Sequence, residues 1–179
     1  MFIDSKTAEE RAVMEAAYAI CAAIRTAPKA HGDDYLDTAI VTGEDKDKLA
    51  DEMRKLADGP DGAFFARDAD NVDKSIAIVL AGAKESTRGL GERCQLCHNE
   101  NCAACAAANG CCVFTALDLG IALGAAVAML SDVHIDNRIM FTIGKAAESL
   151  GLLGEHRLIM GIPMSVSGKS PFFDRKVNR

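Results

Sequence analysis

Apolar residues recur at helical spacing near the start of the chain, at Val13, Ala17, Ile20 and Ile24. That spacing predicts a helix over residues 8–26, opened by a capping-box pattern of Thr7 with Glu10 and closed before Pro28. The pattern then changes period. Tyr35 to Val41 is short, apolar and β-branched at its end, which predicts a strand, and Leu49, Met53 and Leu56 share one face of a helix over residues 45–57. Residues 58–62 form a glycine and proline turn cluster, and a polar stretch follows it without a clear period. Ser75 to Ala81 is almost wholly apolar and predicts a strand buried on both faces.

The second half is more apolar. Between Cys111 and Leu130 the one charged residue is Asp118, and the length approaches what a membrane-crossing helix needs. Ala and Gly dominate the stretch, it carries a carboxylate near its middle, and no second span accompanies it, so it is expected to be a buried core helix. Gly120 and Gly124 have the spacing that lets another backbone approach closely. Asp136 is placed to cap a further helix with Ile139, Met140, Ile143, Ala147 and Leu150 inward, closed by Gly151. Arg157 to Ile162 predicts another strand, and the residues from Ser165 to Arg175 a loop carrying basic and aromatic side chains. Strands interspersed with long helices imply mixed α and β layers around one central sheet, with no internal repeat.

Composition narrows the class. The chain has 179 residues, 49% hydrophobic and 26% charged, as expected for a single folded domain over residues 1–179. A net charge of -6, with no run of Lys or Arg, argues against nucleic acid as a partner. No apolar segment of signal-peptide type follows Met1, because the opening residues are already charged. The expected location is the cytoplasm, with no membrane partner.

The chemistry lies in the cysteines. Six of the seven fall in residues 90–113, at Cys94, Cys97, Cys102, Cys105, Cys111 and Cys112. A C-x2-C pair aims two sulfurs at one point, and the following segment offers further thiolates. In a reducing compartment such a run points to a metal or redox centre rather than to disulfides, and a chain this long has no need of bridges to hold its core. Iron-sulfur is preferred and zinc is the alternative, because structural zinc sites often join two C-x2-C pairs across a longer span. His98, beside Cys97, reads as a loop residue or a donor to a ligand sulfur.

Taken together, the segments Arg25 to Lys29, the cysteine run, Asp118 to Ala126, Asp136 to Met140, Gly161 to Ser165, Gly168 with Lys169, and Phe173 to Arg175 resemble a bacterial and archaeal family of uncharacterised ferredoxin-domain proteins. The resemblance covers nearly the whole chain. It implies a four-iron four-sulfur cluster on an α+β, nitroreductase-like scaffold, a central β-sheet packed by long helices with a cysteine-rich cluster-binding segment. The family's cysteine pattern falls on Cys94, Cys97, Cys102 and Cys112. Cys105 and Cys111 are extra thiols, and Cys105, three residues after Cys102, competes for the fourth position. His98 stands where the family pattern has glycine.

A nitroreductase-like scaffold further implies flavin mononucleotide at a homodimer interface, with basic side chains on its phosphate. Arg25, Lys29, Lys169 and Arg175 are the candidates. As scattered loop residues they also read as ordinary solvated surface.

The other conspicuous groups read as structural. Asp118 requires a buried partner, with Arg138 and Arg175 as candidates. Ser165 and Ser167 lack the context of a hydrolase nucleophile, His134 and His156 receive no role, and Cys21 falls on the apolar stripe of the first helix. Two functional classes follow. One is an iron-sulfur redox enzyme or electron carrier, with or without flavin in its electron supply, acting on an unidentified redox partner or small-molecule substrate; the other is a metal-stapled structural or sensing module without turnover.

Overall fold

A computed structural model describes residues 1–59 and 62–173. Six helices, α1 (Ser5–Thr26), α2 (Gly43–Leu56), α3 (Ala63–Asp73), α4 (Cys102–Ala107), α5 (Val113–Asp132) and α6 (Phe141–Ser149), accompany four strands. The strands are β1 (Leu36–Val41), β2 (Ala77–Ala83), β3 (Asp136–Asn137) and β4 (Leu158–Ser165). They form one antiparallel sheet in the order β1-β2-β4-β3.

Helices cover both faces of that sheet, which explains why β2 is buried at every position. Its alternation divides the core in two. Val79, Ala81 and Ala83 join Val13, Ile20 and Ile24 of α1 and Leu119, Ala122 and Leu130 of α5 on one face. Ile78 and Leu80 join Leu49 and Met53 of α2, Val72 of α3 and Ile143 of α6 on the other. Two glycines set the depth of α6. A Cβ at Gly144 would stand 1.7 Å from the Ile159 carbonyl oxygen, and one at Gly161 2.2 Å from Ile143 Cγ2.

The expected strands and the two longest helices are present, with several boundaries corrected. Helix α1 begins at Ser5, because Asp4 rather than Thr7 is its cap: the Asp4 carboxylate accepts the Thr7 N–H at 2.9 Å and the Thr7 hydroxyl at 3.1 Å. The polar stretch after residue 62 is helix α3. Its polarity concealed the period because Asp68 and Asn71 face inward, Asp68 accepting the Thr142 hydroxyl at 2.8 Å. Asp136 does not cap α6; it opens β3, paired with Ser165, and α6 starts at Phe141 with Ile139 and Leu150 left exposed. Strand β4 continues to Ser165, three residues beyond the expected end, because β2 and β3 flank it there, Ala77 pairing with Met164 and Asp136 with Ser165.

Helix α5 is long and apolar enough to cross a membrane by length and composition. In the fold, Leu119, Ala122, Ala126 and Leu130 pack into the core against α1. The opposite side keeps Leu117 and Ile121 exposed, and nothing lies within 4 Å of a Cβ built on Gly120 or Gly124. The close backbone approach that the glycine spacing permits is therefore not made within the described residues of this chain.

Candidate metal centre

The thiol site is built on the connection from β2 to α5. Strand β2 ends at Ala83, and the chain then runs across the end of the sheet to a short 3-10 turn, Gly91–Arg93, that delivers Cys94. Gln95 and His98 adopt left-handed backbone conformations, at φ 45° and 60°, so the chain curls tightly around Cys97. The His98 N–H donates to the Gln95 carbonyl at 2.9 Å, closing that turn. Asn101 caps α4 by accepting the Ala104 N–H at 2.9 Å, which sets Cys102 and Cys105 one helical turn apart on a shared face. After α4 the chain reverses at Asn109, φ 51°, and the Gly110 N–H returns to the Cys105 carbonyl. Cys112 is the N-cap of α5, where unpaired helix N–H groups favour negative charge.

Five thiols, Cys94, Cys97, Cys102, Cys105 and Cys112, line one narrow cavity. Cys111 points away, exposed, toward Glu85 and Arg157. The fold therefore keeps all four residues of the family pattern together and sets Cys111 apart from them. Cys105 stays in the group as a fifth thiol, 1% exposed. The Asn99 side chain and then its backbone N–H hold the Cys97 thiol below its ordinary value. Burial, followed by contact with Cys97, pushes Cys105 up to about 11. Burial and the facing Glu85 carboxylate push Cys111 up.

Among the described residues, no three His, Cys, Asp or Glu side chains are grouped to hold a single metal ion. A tetrahedral zinc, with sulfurs at about 2.3 Å, would need them within roughly 4 Å of one another. The donor set that the cavity gathers is soft, all thiol sulfur, which is the ligand type of thiolate-held zinc and iron-sulfur centres alike.

A buried ion pair fastens this segment to the core. Arg88 donates through Nε and Nη2 to Asp118 Oδ2 at 3.1 and 2.9 Å, while Asp118 Oδ1 accepts the Ala30 N–H at 2.9 Å. Asp118 thus pairs with Arg88, not with Arg138, which reaches the Phe172 carbonyl instead; Arg175 lies outside the described residues. Thr115 of α5 adds a hydroxyl bond to the Ser86 carbonyl. Sequence reasoning missed Arg88 because nothing in its immediate neighbours marks it as buried.

The basic candidates for flavin fall differently. Arg25 pairs with Asp34 at 2.9 Å and donates to the Leu36 carbonyl. The Lys29 ammonium closes the end of α1, donating to the carbonyls of Ile24, Arg25 and Ala27. Both side chains are engaged within the chain, gathered around Asp34. Lys169 stands in the loop after β4, where its carbonyl accepts the Ser167 hydroxyl. His156, which the sequence left without a role, is buried with Nε2 3.0 Å from Asp37.

Comparison with known proteins gives consistent findings. The model of a family described as an uncharacterized protein containing a ferredoxin domain matches residues 108–175, a span that includes Cys111, Cys112 and α5. An uncharacterized protein of Archaeoglobus fulgidus is 41% identical over 183 residues, covering 98% of each chain. Among solved structures, a nitroreductase with bound FMN from Desulfitobacterium hafniense superposes with a TM-score of 0.58 at 13% identity, covering 87% of this chain and 78% of that one. Nitroreductase CinD from Lactococcus lactis, in complex with chloramphenicol, gives 0.56 at 20% identity, covering 93% and 85%. The fold is nitroreductase-like.

Proposed function

Since the chain belongs to the family of uncharacterized proteins containing a ferredoxin domain, we propose that it binds a four-iron four-sulfur cluster and serves in electron transfer. Cys94, Cys97, Cys102 and Cys112 would hold the cluster. The observation that carries this reading is the convergence of five thiols from three separate stretches of chain on one cavity wall, with the N-terminus of α5 beside them. When bound, such a cluster supplies one-electron chemistry. The protein's own residues hold the thiols in place through the left-handed turns at Gln95 and His98, shield Cys105 and Cys112 from solvent, and anchor the segment through Arg88 and Asp118. Cys94, Cys97 and Cys102 are less deeply covered, which leaves an approach for an electron donor or acceptor.

The fold's likeness to a flavin-bearing nitroreductase supports FMN as a second cofactor, but the internal bonds of Arg25 and Lys29 oppose their use as its phosphate clamp. A second copy of this chain is the partner we assign to the exposed apolar side of α5, where Leu117 and Ile121 flank the open surfaces of Gly120 and Gly124. The reading places the protein in the cytoplasm, where cysteines stay reduced, without nucleic acid or membrane as a partner.

The test is an anaerobic absorption spectrum of freshly purified protein, with iron, sulfide, zinc and released flavin measured on the same sample. Iron with matching sulfide and a spectrum bleached by dithionite supports the proposal. Zinc alone in a colourless protein replaces it with a structural clasp.

A further inference from the structure

A second cavity, of about 500 Å3, adjoins the thiol site. Its size is that of a small-molecule pocket. Cys112 and Thr87 line both cavities, so they form the wall between them. Tyr35, Lys84, Glu155 and Arg157 line the remainder that bears on recognition.

The hydrogen-bond inventory of those side chains defines what would fit. Arg157 spends a single nitrogen, Nη1, on Glu85 at 3.0 Å and on Asn109 at 3.4 Å. Its Nε and Nη2 donors take no hydrogen bond among the described residues, and that edge of a guanidinium matches the two oxygens of a carboxylate. Lys84 Nζ is ion-paired with Asp37 Oδ2 at 3.6 Å, beyond hydrogen-bond distance, and its donors take no hydrogen bond among the described residues. Glu155 is exposed and makes no hydrogen bond or ion pair among the described residues. Its charge, with that of Glu85 close to Arg157, disfavours a second anionic group in the same space. Two cations with unused donors and an unpaired carboxylate at the rim therefore select a monocarboxylate over a phosphate or a dicarboxylate.

The geometry points to this cavity as a binding site for a small organic monocarboxylate, gripped by Arg157 and Lys84 and seated against Cys112. The binding itself is independent of the cluster; only the molecule's exchange of electrons with the centre rests on the function proposed above. Calorimetric titration of the full-length purified protein with benzoate, benzamide and inorganic phosphate tests it, with metal and sulfide content measured on the same sample. Benzoate is expected to bind at least roughly tenfold more tightly than benzamide, which keeps the ring and loses the charge. Phosphate is expected to bind more weakly than benzoate. The double variant Lys84→Gln/Arg157→Gln, changed at two largely exposed side chains, should lose about tenfold or more in benzoate affinity while its circular dichroism is unchanged. Absence of benzoate binding, equal binding of benzamide, tighter binding of phosphate, or unaltered affinity in the folded double variant overturns the inference. Benzoate binding in a protein that carries no iron or sulfide would uphold the cavity and reject the cluster, so the two failures are distinguishable.

Discussion

Arg88 and Asp118 form an ion pair at 2.9 Å, with side chains 1% and 3% exposed. The guanidinium also packs over the Tyr35 ring, 4.6 Å from its centroid, and donates to the Ser86 carbonyl. This pair joins the segment that carries the thiols to the helix that begins at Cys112. Removing one partner strands a buried charge, so Arg88→Met should cost about 3–5 kcal/mol. The double variant Arg88→Met/Asp118→Leu should cost much less, because no charge is left unpaired. Urea unfolding of the three proteins measures both effects.

The division of the cysteines yields a graded set of substitutions. Cys111→Ser should leave iron and sulfide content unchanged, since its thiol faces Glu85 outside the thiol cavity. Cys94→Ser, Cys97→Ser and Cys102→Ser should each lower content sharply. Cys112→Ser should do the same while Cys105→Ser retains iron; the reverse result would make Cys105 the fourth ligand. Metal and sulfide analysis of the purified variants decides the assignment.

His98 holds φ at 60° with its side chain exposed. Glycine, which the resemblance expects at this position, adopts that conformation without a Cβ penalty. His98→Gly should therefore raise stability by roughly 0.5–1 kcal/mol after the entropy lost by glycine is counted, with cluster content retained. Chemical denaturation of the matched proteins checks the sign.

Asp4 supplies the pH dependence of the first helix. Bonds from the Thr7 N–H and hydroxyl lower its carboxyl below the ordinary 3.8. A folded-state value below the unfolded one gives a contribution that is complete above 3.8 and disappears as pH falls through the folded value. Asn also caps helices but cannot titrate. The stability of the parent relative to Asp4→Asn should thus be constant near neutral pH and fall in acid, as the parent alone loses its charged cap, measured by denaturation at a series of pH values.

Ile121 is 48% exposed on the uncovered side of α5. Ile121→Asp should preserve the circular dichroism spectrum, because the side chain belongs to neither core cluster, and should convert a dimer to a monomer. Sedimentation velocity over a concentration series reads the change; a parent protein that sediments as a monomer removes the dimer from the proposed function.

Periodicity alone determined much of the scaffold. Val13, Ala17, Ile20 and Ile24 specify the buried stripe of α1, and the unbroken apolar run through β2 specifies a strand covered on both faces, because local spacing dictates which side chains share a face. The cysteine spacing likewise marked the site. Tertiary structure alone decided which thiols meet: Cys105, Cys111 and Cys112 are close in sequence, yet the reversal at Asn109 and the start of α5 send Cys111 toward Glu85 and keep the other two on the cavity wall. The partner of Asp118 was equally hidden, since Arg88 lies thirty residues away and only packing of the β2–α5 connection against the core buries them together. Helix α3 escaped notice because its inward Asp68, paired at one oxygen with the adjacent Arg67, is satisfied at the other by Thr142, seventy-four residues further along. Local spacing encodes faces and turns; the partners of buried polar groups are set by contacts between distant segments, which no local pattern records.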